Sequence, residues 1–410
     1  MVYTGGNHVR LLAGGDELFP AMHAAIAAAR REVWLVTYIF HHDEAAQAMA
    51  QALREAAGRG VRVGVVVDGF GSRGSLAQLQ RWWAGSSVSL AVFRPLDRWW
   101  AVLQPGQFRR LHHKLCVVDD EVAFVGGINI LDDRVDVRHG RADAPRLDYA
   151  VRLAGPVVLP VAHTARALWS RAALGHDWRG ELAALVGSAE PVKGAGRLMR
   201  SLRIAPPVEV LLPGVRDGSP VRAAFVVRDN LRHRGAIEHS QLEAFRHARH
   251  SIDLVTPYFY PGQRFRRALR QAARRGVRVR LLLQGKLDYR IAGLAATVLY
   301  DELLRQGVEI YEYTPAWLHA KAAVVDGRWV TVGSSNIDPL SLLLNLEANV
   351  AVDDAGFADE LGQRLAQALA QSRRVDRAGP SRGWWGALRR GVVAWGALIY
   401  LRMAGITRPY

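Results

Sequence analysis

Residues 112–129 read HHKLCVVDDEVAFVGGIN, and residues 319–336 read HAKAAVVDGRWVTVGSSN. Eight of the eighteen positions are identical at an offset of 207. Each stretch places His first, then Lys two residues on, Asp seven on and Asn seventeen on. The pattern predicts two short strands in each copy around a tight turn at Asp120-Glu121 or Gly327-Arg328. The strands are expected over 115–119 and 122–125, then over 322–326 and 329–332. Residues i and i+2 of a strand share a face, so the His and Lys of each copy point the same way. One copy is half of an anion-holding site, and two facing copies make a whole one.

A second repeat lies outside the first. Residues 50–69, AQALREAAGRGVRVGVVVDG, match residues 266–285, RRALRQAARRGVRVRLLLQG, at eleven of twenty positions. Each reads as a helix stopped at Gly60 or Gly276, followed by a buried apolar strand. A similar strand precedes each helix, at 33–37 and 252–256. Strand–helix–strand units indicate an α/β protein with largely parallel sheets. The chain is a tandem duplication, with a boundary in the Pro- and Gly-rich stretch between 190 and 220. The division is 1–195 and 208–375 for the two domains and 376–410 for a tail.

The 410 residues suffice for two such domains and a sizeable core. Half are apolar and 22% are charged, which excludes a mostly disordered chain. The net charge is +16, carried by 50 Arg and only four Lys (Lys114, Lys193, Lys286 and Lys321). Such an excess points to a polyanion, either nucleic acid or an anionic membrane. The single cysteine, Cys116, excludes an intrachain disulfide and a Cys-based zinc cluster. No signal peptide is read at the start, and no apolar run reaches the roughly 20 residues of a spanning helix.

A neutral imidazole is both a nucleophile and a proton carrier near pH 7. Two imidazoles around one phosphate can divide the work. One attacks phosphorus and forms a phosphohistidine, and the other protonates the leaving alcohol and deprotonates the incoming one. Lys and Asn hold the non-bridging oxygens, so the chemistry asks for no metal and no cofactor. With four lysines in the chain, chance supplies about 0.14 His-x-Lys pairs. Two pairs in a duplicated frame therefore speak for function over packing. In a chain that uses Arg nearly everywhere, Lys at both positions suits a compact charge against a crowded phosphate.

These blocks resemble the HxKxxxxD signature of the phospholipase D superfamily, whose members form a phosphohistidine. The resemblance covers nearly the whole chain. Thr37-Tyr38-Ile39-Phe40, the 67–72 stretch, Arg228-Asp229-Asn230, Tyr258-Phe259-Tyr260-Pro261-Gly262 and the 333–349 stretch are similar to bacterial cardiolipin synthases of the short type, without two N-terminal membrane helices. The resemblance implies two α/β/α sandwich domains with pseudo-two-fold symmetry and one site between them. It assigns catalysis to His112, Lys114, Asp119, His319, Lys321 and Asp326, with His112 as nucleophile and His319 as acid and base. It assigns phosphate contact to Ser334 and Asn336, with Gly127 and Asn129 opposite. Glu347 and Asp148 are implied to orient the histidines, and the motif aspartates to tie the hairpins. One departure is Val36, where the family often has Glu.

The implied reaction is phosphatidyl transfer to the glycerol end of phosphatidylglycerol, with phosphatidylglycerol or phosphatidylethanolamine as donor. Phospholipid hydrolysis and nucleic-acid phosphodiester cleavage are the alternatives. Trp82-Trp83, Trp99-Trp100 and Trp384-Trp385 each follow an arginine closely, which suits a membrane interface or base stacking. The 99–103 stretch reads as an apolar lip at the site mouth. The tail from Trp384 to Met403 reads as an in-plane membrane anchor, too short to span. It favours an anionic bilayer over nucleic acid as partner, and a peripheral position on the cytoplasmic face of the bacterial inner membrane. The oligomeric state is not legible.

Overall fold

A computed structural model describes residues 1–95, 109–136, 140–186, 202–206, 221–229, 233–286, 300–338 and 345–376. The first half contains strands β1 (His8–Ala13), β2 (Glu32–Thr37), β3 (Arg62–Asp68), β4 (Ser89–Phe93), β5 (Leu115–Val118) and β6 (Val122–Gly126). A small ribbon of β7 (Val135–Asp136) and β8 (Gly140–Arg141) follows, then β9 (Tyr149–Ala154). Its helices are α1 (Gly14–Ala28), α2 (Glu44–Gly58), α3 (Leu76–Trp83) and α4 (Val158–Val186). The second half contains β10 (Arg222–Arg228), β11 (Ser251–Thr256), β12 (Arg278–Gln284), β13 (Glu309–Tyr313), β14 (Ala322–Val325), β15 (Trp329–Gly333), β16 (Glu347–Asp353) and β17 (Arg373–Arg374). Its helices are α5 (Ala236–His247), α6 (Gln263–Arg274) and α7 (Ala355–Ala370).

The sheet orders are β1-β9-β6-β5-β2-β3-β4 and β10-β16-β15-β14-β11-β12-β13-β17. Apart from the added β17, the second order repeats the first strand for strand, so the duplication read in the sequence is a duplication of fold. The helix–strand units form as expected. Asp43 caps α2 by accepting from the Ala46 N–H at 2.9 Å, and the chain turns into β3 at Gly60, whose φ is +87°. Gly276, at φ +89°, does the same between α6 and β12. Met49, Leu53 and Ala56, at helical spacing on α2, are buried against the sheet.

The expectation of largely parallel sheets does not hold. Both sheets are mixed: β2-β3-β4 and β11-β12-β13 are parallel, while every other pairing is antiparallel. The strands of the repeated block are buried on both faces, so their continuous apolar runs carry no sign of direction. The turns also sit one residue earlier than expected. The Glu121 N–H reaches the Val118 carbonyl at 3.0 Å, and Asp119 and Asp120 both have positive φ (+54° and +60°). Asp326 (+53°) and Gly327 (+61°) form the matching turn. Two left-handed residues match the twist of a two-residue hairpin, and Asp and Gly tolerate that backbone.

Helices α1, α2 and α3 cover the outer face of the first sheet, on Val33, Leu35, Val65, Val67 and Cys116. Helices α5 and α6 cover the outer face of the second, where Phe245 and Phe265 meet edge to face. The inner faces share one core. It joins Val125, Val151 and Leu153 of the first half to Val332, Val350 and Val352 of the second, with α4 and α7 packed beside them. Val36 lies in this core, 1% exposed, so an apolar residue suits the position where the family often has Glu. The domain boundary falls largely on 187–201 and 207–220, outside the described residues, as do Trp99-Trp100 and the tail from 377. No helix among the described residues is long and apolar enough to cross a membrane.

Candidate active site

Two backbone clamps join the halves beside the repeated hairpins. His112 N–H donates to the Leu346 carbonyl at 3.0 Å, and Leu346 N–H donates to Arg110 O at 2.9 Å. In the other direction His319 N–H donates to Leu147 O at 2.9 Å, and Leu147 N–H donates to Trp317 O at 2.8 Å. Each clamp carries the next residue of one half to the histidine of the other. Glu347 follows Leu346, and its Oε2 lies 2.9 Å from His112 Nδ1. Asp148 follows Leu147, and its Oδ2 lies 2.6 Å from His319 Nδ1. Both carboxylates are thus exchanged between halves, as in a self-complementary two-fold interface. One half alone has no complete histidine pair.

The two imidazoles are not equivalent. His112 Nδ1 faces two acceptors, Glu347 Oε2 and the Ser334 carbonyl at 3.2 Å, so it carries the hydrogen and leaves the Nε2 lone pair open. Ser334 Oγ donates to the same Glu347 oxygen at 2.5 Å. Its counterpart Gly127 has no hydroxyl, and a Cβ there would stand 2.3 Å from Asp148 Oδ1. His319 Nδ1 lies between Asp148 and Lys321 Nζ, which is 2.8 Å away. Burial pushes the Asp148 carboxyl up to about 6, and its ionised form favours the Nδ1 hydrogen on its side. Burial lowers both imidazoles below their ordinary pKa, His319 well below, which favours their neutral forms. Glu347 stays ionised. Burial opposes this, but the contact with His112, the charge of Lys114 and the Ser334 hydrogen bond hold the carboxyl below its usual range.

Lys114 and Lys321 are both buried, and each donates to the carbonyl of its own histidine (His112 at 2.9 Å, and His319). Burial, and after it the charge of Lys321, lower Lys114 to about 7. Burial lowers Lys321 to about 8, against the pull of Asp148 and Glu347. Two ammonium groups buried close enough to repel each other favour an anion between them. Tyr38 walls this seat, with its ring 5.1 Å from the His112 ring and 5.5 Å from Lys114 Nζ. Asn336 is 6% exposed with its Oδ1 unpartnered, while Asn129 Oδ1 accepts from the Ile39 N–H at 3.2 Å.

Asp119 and Asp326 lie at the hairpin tips. Asp119 accepts from the N–H groups of Arg30, Arg31 and Glu32, each at 2.8 Å. Asp326 accepts from Arg249 and His250 at 2.8 Å and Ser251 at 2.9 Å. Each ties its hairpin to the start of β2 or β11. Replacing Asp119 by Ala strands three donors and leaves a non-glycine residue in the left-handed region. Asp119→Ala is expected to lower stability by about 2–4 kcal/mol in urea unfolding, and Asp119→Asn by about half as much. A loss under about 1 kcal/mol would refute the tie.

The family described as "Cardiolipin synthase, PLD-like domain" matches residues 22–139 and 242–369, one stretch in each half. The chain belongs to this phospholipase D-like cardiolipin synthase family. It is 36% identical over 392 residues to cardiolipin synthase B of Escherichia coli (strain K12), covering 93% of this chain and 85% of that one. It is 30% identical over 375 residues to cardiolipin synthase A of Pseudomonas putida (strain GB-1), covering 92% and 71%. The crystal structure of phosphatidylserine synthase from Haemophilus influenzae Rd KW20 shares the fold at a TM-score of 0.65 and 13% identity, covering 98% of this chain and 97% of that one.

Beyond the motif residues of this family, the site uses Asp68, which the sequence reading did not single out. It ends β3, fully buried, and accepts from Phe70 N–H at 2.8 Å, Gly71 N–H at 3.1 Å and Leu111 N–H at 2.9 Å. It thereby fixes the residue before His112. An acid closing the apolar run Val65-Val66-Val67 was the available signal. Arg228, part of the Arg228-Asp229-Asn230 resemblance, also lies beside the site. It is 1% exposed and stands opposite Glu347 in the β10–β16 register.

Proposed function

We propose that the protein is a phosphatidyltransferase that moves a phosphatidyl group from a phospholipid to the glycerol hydroxyl of phosphatidylglycerol. The observation that carries this reading is the exchanged pair of carboxylate–imidazole contacts around two buried lysines. In the first step His112 Nε2 attacks phosphorus. The bond from phosphorus to the leaving oxygen breaks, and His319 supplies that oxygen's proton. In the second step His319 takes the proton of the incoming hydroxyl. A new P–O bond forms, and the P–N bond to His112 breaks. Lys114 and Lys321 hold the non-bridging oxygens throughout, and Asn336 adds a side-chain amide. Bound phosphate adds negative charge beside His319 and so raises its proton affinity, which the first step needs. Asp119, Asp326, Glu347 and Asp148 act through position, and Ser334 acts through Glu347.

The donor is phosphatidylglycerol or phosphatidylethanolamine, whose phosphodiesters are alike. Such substrates put the enzyme at the surface of an anionic bilayer, and we assign it to the cytoplasmic face of the inner membrane. The test incubates purified protein with vesicles of each lipid, alone and mixed, and reads products by mass spectrometry. Cardiolipin is expected from phosphatidylglycerol, with release of glycerol. Phosphatidic acid as the sole product would make the protein a hydrolase. Cleavage of single-stranded DNA with no lipid product would make it a nuclease.

A further inference from the structure

The two halves present different chemistry at the mouth of the site. Gly69 N–H donates to Phe93 O at 2.8 Å, and Gly285 N–H donates to Tyr313 O at 2.9 Å, so Arg94 and Thr314 are counterparts. The clamps at Leu111 and Leu318 make Arg109 and Arg110 the counterparts of Ala316 and Trp317. Three arginines therefore gather on the side of the first half, and none of them is repeated on the other.

Their placement is built. Arg94 Nη1 donates to Arg109 O, and Arg110 Nη1 donates to Arg94 O, both at 3.3 Å. Arg94 has φ +50°, an uncommon backbone for a non-glycine residue, held where a Cβ on Gly69 would meet Arg94 O at 2.5 Å. Among the described residues no carboxylate pairs with Arg94 or Arg109. Arg110 approaches only the buried Asp68, at 3.8 Å, whose oxygens already serve three backbone donors. Phe70, 55% exposed, lies under the Arg110 guanidinium at 5.3 Å. Burial and the charges of Arg109 and Arg110 lower the Arg94 pKa, and the buried Asp68 offsets this only in part.

We propose that Arg94, Arg109 and Arg110 seat a second phosphate, that of the acceptor lipid, beside the one that reacts at His112. The proposal rests on the transferase reading above. Arg110 and His112 are two residues apart on an extended segment, about 6.6 Å, and share its side. A glycerol bridge between two phosphates spans a comparable gap. With the acceptor phosphate held by the arginines, its glycerol hydroxyl reaches the phosphohistidine. The hydroxyl loses its proton to His319, the new P–O bond forms, and the P–N bond breaks. Water and neutral alcohols gain nothing from the cluster, so it selects an anionic acceptor. Guanidinium forks suit this seat because they match phosphate oxygens two at a time.

The test uses detergent-dispersed phosphatidylglycerol as donor and two soluble acceptors, isotope-labelled neutral glycerol, whose transfer is read as label entering the lipid, and anionic glycerophosphoglycerol. The readout is the ratio of their kcat/KM values. The wild type is expected to prefer glycerophosphoglycerol by tenfold or more. R94Q/R109Q is expected to lower that preference at least tenfold, chiefly through KM for the anionic acceptor. R94K/R109K, which keeps both charges, is expected to retain most of it and shows that the fold tolerates change there. An unchanged preference in R94Q/R109Q overturns the proposal, and so does an equal loss with both acceptors. A wild type that transfers to neither acceptor and only hydrolyses the donor overturns the transferase reading itself.

Discussion

His112→Ala is expected to leave no phosphatidyl transfer above background, and His319→Ala to lower it by about 10²–10⁴-fold. The two differ because the two imidazoles differ. Loss of His112 removes the atom that would bond phosphorus, and no neighbour replaces it. Lys114 Nζ donates to the His112 carbonyl at 2.9 Å, a backbone bond that the alanine variant keeps. Loss of His319 removes a proton carrier, which water replaces poorly. His319→Ala is therefore expected to recover part of its rate with a donor whose leaving alcohol is acidic, while His112→Ala does not. Equal rescue of both variants would contradict the division of roles. Substantial activity in either variant with an ordinary donor would refute the two-imidazole mechanism.

Glu347→Gln is expected to lower transfer by about 10³-fold or more while the protein stays folded. The change is isosteric but removes the charge. Glu347 Oε2 takes the Nδ1 hydrogen of His112 and the Ser334 hydroxyl together. An amide offers a donor as readily as an acceptor, so the tautomer with Nε2 open is no longer enforced. The positive charge that builds on His112 as the P–N bond forms also loses its counter-ion. The effect is expected in kcat, with KM little changed, because Glu347 lies behind the imidazole and is fully buried. A variant near wild-type kcat would show that the exchanged carboxylate is structural only.

The sequence carried the duplication because two repeats survived with their spacing intact, and spacing within a hairpin is a local property. It placed each His and Lys on one strand for the same reason. The direction of the strands was not legible, because strands such as Leu115–Val118 are apolar on both faces and pair the same way in either sense. The turn sits one residue earlier than the pattern predicts, because Asp119 reads as a strand end yet adopts the left-handed region. The exchange of Glu347 and Asp148 between halves depends on the Leu346 and Leu147 clamps, which join residues more than 160 positions apart and leave no periodicity. Asp68 was hidden likewise, since its tie to Leu111 is made across the fold. The arginine cluster was lost in a background of 50 arginines and emerged only once Arg94, Arg109 and Arg110 were side by side.

The most direct measurement of the central claim is to trap the covalent enzyme. Protein mixed with phosphatidylglycerol would be quenched in alkali, where phosphohistidine survives, then digested and mapped by mass spectrometry. The expected result is a phosphatidyl adduct on the peptide carrying His112, formed within one turnover and decaying as cardiolipin appears. An adduct on His319 would reverse the two roles. Cardiolipin accumulating with no adduct on either histidine would contradict the covalent route.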